Sequence, residues 1–342
     1  MIEISKTGSS ETEGGGFQRR HNLFGELCEI ENIFDAWHEF KQRKEKKRDV
    51  QLFALEVEDQ LFDLQRSVAC GEYMHGEYAS FFVHDPKKRH IHKATVRDRV
   101  LHQAIFRVLM PLFEPSFVFD SFSSRLDKGT HRAVARLRQL AWTLSRNNTR
   151  TVWALQGDIR KYFDSIDHAI LIALLQKKIV DPDMLDTIQR VIASFESSPG
   201  KGLPLGNVTS QLFSNVYLNP FDQWMQRAHA EMKYLRYADD FVVLSCDKQK
   251  LVDLISSIEA FLRIHLELCL HPNKIQLRAW HQGIDFLGYV SFPRHQILRT
   301  KTKHRMVKRI SMKNAQSYLG MLSHCAGTGI VRTLISRLFS FV

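Results

Sequence analysis

The sequence predicts an α+β protein: a central domain of mixed strands and helices, with helical ends. Three observations predict it. Val152-Trp153-Ala154-Leu155 is a short unbroken apolar run, the composition of a buried strand. Tyr234–Tyr237 and Phe241–Ser245 are two further strand-like segments only a few residues apart, which predicts a tight hairpin. Around them apolar residues recur at helical spacing, as in Val100, Leu101, Ala104, Ile105, Val108 and Leu109.

In chain order, residues 1–20 carry Ser, Thr and Glu, then Gly14-Gly15-Gly16 and Arg19-Arg20, and read as a disordered tail. Two helices follow, one through Ile33, Phe34, Ala36, Trp37 and Phe40, the other from Leu52 through Leu64. The basic run Lys41–Arg48 between them reads either as a solvated helix face or as a phosphate contact. Residues 72–95 read as short extended segments, with Phe81-Phe82-Val83 and Lys87-Lys88-Arg89. A helix is expected from Asp98 to about Leu112, and another from near Thr130 after a Ser-rich loop. Residues 168–179 and 183–195 are expected to be helical. The loop from Pro199 to Asn207 holds Gly200, Gly202, Pro204 and Gly206. Long helices should then span Thr209–Ala230 and Lys248–Leu268, with a strand over 284–291 and a basic helical region over 300–342.

The chain has 342 residues, room for two or three domains, and its 44% hydrophobic content suffices for a real core. The formal net charge of +11 favours an anionic partner, which nucleic acid satisfies but a membrane surface also could. The five cysteines are odd in number and form no CxxC pair, which argues against a disulfide framework or a zinc knuckle. The N-terminus is polar and Gly-rich, unlike a secretory signal. No apolar run approaches the roughly 20 residues that span a bilayer. A cytoplasmic protein is expected.

The chemistry concentrates in acids at strand ends. In Leu235–Leu244, Asp239 and Asp240 lie between two strand-like segments with no Gly or Pro nearby. Asp is common in turns, so this segment alone is compatible with plain turn chemistry. Asp158, however, ends a second buried strand, where an acid is costly unless it is exposed or meets a cation. Carboxylates delivered to one place form a hard-oxygen site for Mg²⁺. Two such ions roughly 3.5–4 Å apart would serve phosphoryl transfer, one activating a hydroxyl and one clamping a triphosphate. Asp164 and Asp167 read as turn or helix-cap residues.

At these residues the chain resembles the reverse-transcriptase family. The Tyr-x-Asp-Asp box is Tyr237-Ala238-Asp239-Asp240, and the preceding acid block is Asp158–Phe163. Arg97–Ala104 and Ser124–Ala133 resemble upstream blocks of bacterial members, and His271–Lys274 and Phe286–Tyr289 resemble downstream ones. The resemblance covers about residues 22–335 and implies a right-hand polymerase fold: an N-terminal extension and fingers over 21–150, a palm over 151–291 and a short helical thumb over 292–342. It implies an RNA template, an RNA–DNA duplex, dNTPs and two Mg²⁺ ions held by Asp158, Asp239 and Asp240. By motif position, Lys274 matches a proposed general acid, and Arg89 matches a triphosphate-binding arginine whose guanidinium fork suits phosphate. Phe163 matches the residue that blocks a ribose 2′-hydroxyl. Tyr237, Leu205, Gly206 and Gln211 fall at nucleotide-binding positions. Lys128, Lys301, Lys303 and Arg305 are candidates for gripping template and primer. The stretch after Arg89 reads His-Ile-His-Lys-Ala, where relatives often carry Ile-Pro before the Thr.

The loop Gly202-Leu203-Pro204-Leu205-Gly206-Asn207-Val208-Thr209-Ser210-Gln211 has Leu205 and Gln211 where most members have Gln and Pro. That pattern resembles the enzymes of diversity-generating retroelements, as does the segment Gln316–His324. Such enzymes copy a template-repeat RNA, misincorporate opposite adenine and work with a small basic, oligomeric accessory protein. No maturase or endonuclease segment is expected. A defence-associated or otherwise domesticated reverse transcriptase is the alternative, and an inactive RNA-binding scaffold is a third reading.

Overall fold

The computed structural model describes residues 22–84, 88–312 and 314–339, so the expected tail over 1–20 and Lys87 lie outside the described residues. Helices Leu23–Cys28, Ile30–Lys41, Arg48–Leu55 and Val57–Ala69 pack on the long helix Val96–Phe113 and around one another. Leu27, Ile33, Leu61 and Leu64 face inward, fully buried. The single helix expected through residues 52–64 is divided, because Glu56 takes a non-helical backbone (φ −126°, ψ 34°). The basic run is a turn rather than a helix face: Lys41 ends one helix, Arg48 starts the next, and Arg43 between them has φ +61°. Helix Val96–Phe113 starts two residues earlier than periodicity suggests because Thr95 caps it, its side chain accepting from the Asp98 amide.

Strands β1 (Ala79–Val83) and β2 (Arg89–Lys93) form an antiparallel hairpin, with Phe82 opposite His90. Strands β3 (Trp153–Asp158), β4 (Lys233–Tyr237), β5 (Asp240–Ser245) and β6 (Gln276–Ala279) form an antiparallel sheet of order β4-β5-β3-β6. Strand β6 was not expected, since Gln276 and Arg278 break its apolar pattern. The strand expected over 284–291 is two, β7 (Ile284–Phe286) and β8 (Tyr289–Ser291). Leu287 (φ +50°) and Gly288 (φ +90°) turn the chain back between them. Strand β9 (Gln296–Leu298) completes that small sheet.

Strands β3 and β5 at the centre of the four-stranded sheet are buried on both faces, which is why they read as near-continuous apolar runs. Side chains alternate across a strand. Leu155, Tyr234, Phe241 and Val243 therefore join one core cluster, with the helices Val208–Ala228 and Lys248–Leu266. Ala154, Leu235, Val242 and Leu244 join the other, with helix Thr130–Leu144. The Phe241 ring lies over its cross-strand partner Gly157, where a Cβ would stand 2.2 Å from a ring carbon, so only glycine fits. Burying one such ring contributes about 1.5–3 kcal/mol. The expected basic C-terminal region folds as helices Thr300–Arg309, Ala315–Leu322 and Thr328–Phe339, with Met306, Leu322 and Leu334 closing the second cluster. The five cysteines are free. Among the described residues no helix is long and apolar enough to cross a membrane.

Candidate active site

The sheet brings three acids to one end. Asp158 is the last residue of β3 and pairs across the ladder with Asp240, the first of β5. Tyr237 pairs with the same Asp240 from β4, which leaves Ala238 and Asp239 as a two-residue turn. Tight hairpins favour positive φ because it matches the strand twist, and Ala238 takes φ +53°. A residue with a Cβ gives up roughly 1–2 kcal/mol there, and such strain persists only where the surroundings over-determine it.

Lys274 reaches this end from a neighbouring turn. The His271 amide donates to the Asp158 carbonyl at 2.8 Å, and the short 3-10 turn Pro272–Lys274 follows. The Lys274 Nζ then donates to Asp158 Oδ1 at 2.5 Å. Burial pushes the Asp240 carboxyl up to about 7, helped by the charge of Asp239 and by the hydrogen bond and charge of Asp158, while Lys274 opposes the shift. Asp239 is also raised, first by burial and then by the charge of Asp158, with Lys274 and Arg89 pulling it back. Carboxyls that resist losing their protons beside one another are the donor set a divalent cation would relieve. Among the described residues, however, no three His, Cys, Asp or Glu side chains are arranged as a ready metal cage. The structure brings the strand ends together and gives one Asp158 oxygen to the Lys274 ammonium.

Clefts open around these acids. One of about 250 Å³ is lined by Gln156, Asp158, Asp240, Lys274, Asp285 and Arg299. A second, of about 550 Å³, runs from Asp240 past Arg89 and Arg299 to Lys301, His304 and Arg305 of helix Thr300–Arg309. A third, of about 530 Å³, lies between β2 and the loop before helix Val208–Ala228, with Arg89, His90, His92, Asp164, Phe195 and Leu205 on its walls.

The residues singled out from sequence distribute unevenly over this ground. Arg89 is exposed at the start of β2 and borders the second and third clefts. Phe163 is half-buried beside Tyr162, and its carbonyl accepts from the Leu203 amide at 2.8 Å, which ties the acid block to the Leu205 loop. Gly206 (φ +115°) sits against Ile91 of β2. Gln211 is exposed in the first turn of its helix and lines none of the three clefts. The Tyr237 hydroxyl accepts from Thr130 Oγ1 at 3.3 Å. Lys301 and Arg305 line the second cleft, and Lys303 does not. Lys128 is kept apart from all three: its ammonium donates to the Phe119 carbonyl at 2.8 Å and lies over the Phe119 ring. Asp167 caps helix His168–Gln176, and Asp164 lies in the one-turn helix Tyr162–Ser165 and lines the third cleft.

Sequence reading missed a polar cluster behind the hairpin. Arg236 is fully buried in β4 and forms a two-bond pair with Asp222, also fully buried, at 2.7 and 2.5 Å. The Tyr234 hydroxyl donates to the same carboxylate at 2.6 Å. The available signal was an arginine in the middle of an otherwise apolar strand, a position that demands a buried partner.

Residues 84–291, which contain the whole four-stranded sheet, match the family described as reverse transcriptase (RNA-dependent DNA polymerase). Among known proteins, YkfC of Escherichia coli K12 is 25% identical over 269 residues, covering 67% of this chain and 68% of that protein. The group II intron-encoded protein LtrA of Lactococcus lactis is 26% identical over 271 residues, covering 59% of this chain and 44% of LtrA. Two solved structures share the fold. Apo telomerase from Candida tropicalis superposes with a TM-score of 0.50 at 11% identity, covering 66% of this chain and 55% of that one. Telomerase from Candida albicans, in complex with a fragment of telomeric RNA, superposes with a TM-score of 0.51 at 10% identity, covering 78% and 55%. With its sheet, its paired acids and its matched span, this chain has the right-hand polymerase fold and belongs to the reverse transcriptase family of RNA-directed DNA polymerases.

Proposed function

We propose that this chain is the error-prone reverse transcriptase of a diversity-generating retroelement, copying a template-repeat RNA into cDNA with adenine-directed mutagenesis. The observation that carries the polymerase chemistry is the cross-strand pairing of Asp158 with Asp240 beside Asp239, with Asp240 pushed up to about 7. Two Mg²⁺ ions, when bound, supply the Lewis acidity that activates a primer hydroxyl and clamps a triphosphate. Asp158, Asp239 and Asp240 are the residues that would hold them. Lys274, whose ammonium bonds Asp158, is assigned by motif position as the general acid for departing pyrophosphate. Arg89 offers its guanidinium to the triphosphate from the finger hairpin, and Phe163 offers bulk against a 2′-hydroxyl. Tyr237, Gly206 and Gln211 belong to the nucleotide-binding set by motif position. Lys301, Lys303 and Arg305, with Lys128, are assigned to the template–primer backbone, where cations meet phosphates without reading sequence.

In this reading the fingers, palm and thumb divide near residues 150 and 291. A small basic, oligomeric accessory protein assists, and the enzyme works in the cytoplasm. Support for the mutagenic type comes from Leu205. A glutamine there could hydrogen-bond the incoming nucleotide, whereas Leu205, with Leu203 and Phe195, gives an apolar wall to a cleft that also holds Arg89, His90, His92 and Asp164. A mispositioned partner leaves buried polar groups unpaired, so polar contacts discriminate better than apolar ones. The test is copying of a defined RNA template by the native enzyme and by Leu205→Gln. Fewer misincorporations by the variant support the proposal, and equal error rates sink it. A second reading, a stand-alone bacterial enzyme of intron descent, draws on the likeness to LtrA. An adjacent template repeat and variable repeat in the flanking DNA favour the first reading, and their absence favours the second.

A further inference from the structure

We infer that Arg236 is a positioning residue that holds the Ala238 turn, and through it Asp239, in the orientation that receives the metal ions. This rests on the polymerase reading above. A guanidinium carries five N–H donors in a rigid fork, and all five of Arg236 are used. The Nε donates to Asp222 Oδ1 at 2.7 Å, and Nη2 donates to Asp222 Oδ2 at 2.5 Å and to Ser121 Oγ at 3.1 Å. The Nη1 donates to Asn215 Oδ1 at 3.4 Å and to the Ala238 carbonyl at 2.9 Å. Its backbone is held as well, the amide donating to the Asp120 carbonyl and the carbonyl accepting from the Phe122 amide, both at 2.9 Å.

The bond to Ala238 is the consequential one. A peptide unit is planar, so fixing the Ala238 carbonyl fixes the direction of the Asp239 amide. The Asp239 carboxylate branches from the Cα that follows that amide. The guanidinium therefore fixes the rigid plane that precedes the Asp239 Cα, at a turn whose first residue sits at φ +53°. Stability alone does not account for the arrangement, because a buried ion pair is often replaceable by apolar residues without loss. An apolar pair would keep the packing and release the turn.

Two variants separate position from stability. The double variant Arg236→Met with Asp222→Leu removes both charges and the bond to Ala238. Arg236→Lys keeps the charge opposite Asp222 but lacks the fork that joins Asp222 to the turn. Each is compared with the native chain by thermal melting, by Mn²⁺ titration of the free protein followed by electron paramagnetic resonance, and by kcat and KM for dNTP on a primed RNA template. The expected result in folded protein is a higher Mn²⁺ midpoint and a kcat lower by about 10- to 100-fold, the scale of small misplacements at a reacting centre, with KM for dNTP little changed. Unaltered Mn²⁺ affinity and kcat in a folded variant overturn the inference. If the double variant does not fold, Arg236→Lys decides by the same two readouts. A native chain that neither binds Mn²⁺ nor extends a primer defeats the polymerase reading itself. That result differs from one in which native and variants bind Mn²⁺ equally.

Discussion

Two cation–aspartate pairs flank one hairpin, and they are built in opposite ways. Behind it, Arg236 and Asp222 are each 0% exposed, and every guanidinium donor is satisfied. In front, Lys274 is 38% and Asp158 10% exposed, joined by a single bond from a compact ammonium. The rear pair cannot be separated without leaving a charge in a low-dielectric interior, so it fixes shape. In the front pair the ammonium is accessible, so Lys274 can exchange Asp158 for water or a phosphate and is suited to take part in chemistry. The difference is one of burial and donor geometry rather than of charge, since both pair one cation with one aspartate.

The largest effect should come from breaking the rear pair on one side. Asp222→Ala strands the Arg236 charge and the Tyr234 hydroxyl, and unfolding in urea should show a loss of about 3–5 kcal/mol. A loss under about 1 kcal/mol would mean that the cluster tolerates the charge and that the contrast is overstated. Next comes the front pair. Lys274→Ala should lower the melting temperature less than Asp222→Ala does, since only the Asp158 side of the front pair is buried. The same change should lower kcat by about a hundredfold if the ammonium acts on the leaving group. A melting temperature that drops steeply with kcat retained would make Lys274 structural, like Arg236.

A third effect is a pH slope in the metal-free protein. The Asp240 carboxyl sits at about 7 when folded, against an ordinary value of 3.8. Between about pH 4 and 7 the unfolded chain releases this proton and the folded chain keeps it. Stability is therefore fully present below pH 4 and is lost as pH rises through 7. Melts in chelator should show the native protein losing stability relative to Asp240→Asn across that window. Added Mg²⁺ should stabilise the native protein increasingly over the same range, because it binds the ionised form. Parallel pH profiles for native and variant, with and without metal, would remove Asp240 from the account.

Much of the site was legible in residue order because acids at the ends of apolar strands are rare and expensive. Asp158, Asp239 and Asp240 stand out for that reason, and the order of blocks around them points to the family. Thr95 and Glu56 show why helix limits were less legible: a cap and one non-helical residue move a boundary without altering the apolar period. Lys128 shows what residue order leaves out, because charge is visible in sequence and its engagement is not. The Phe119 carbonyl and ring that hold it are nine residues away, across a loop with no periodicity.

Amino-acid order alone settled the apolar strands, the acids they carry and the kind of fold, because alternation and helical spacing are local properties of the chain. Tertiary packing decided which cations meet those acids. The Arg236 cluster draws on Ser121, Asn215, Asp222 and Ala238. Those groups are up to 115 residues from Arg236 in sequence, and only the folded chain makes them neighbours.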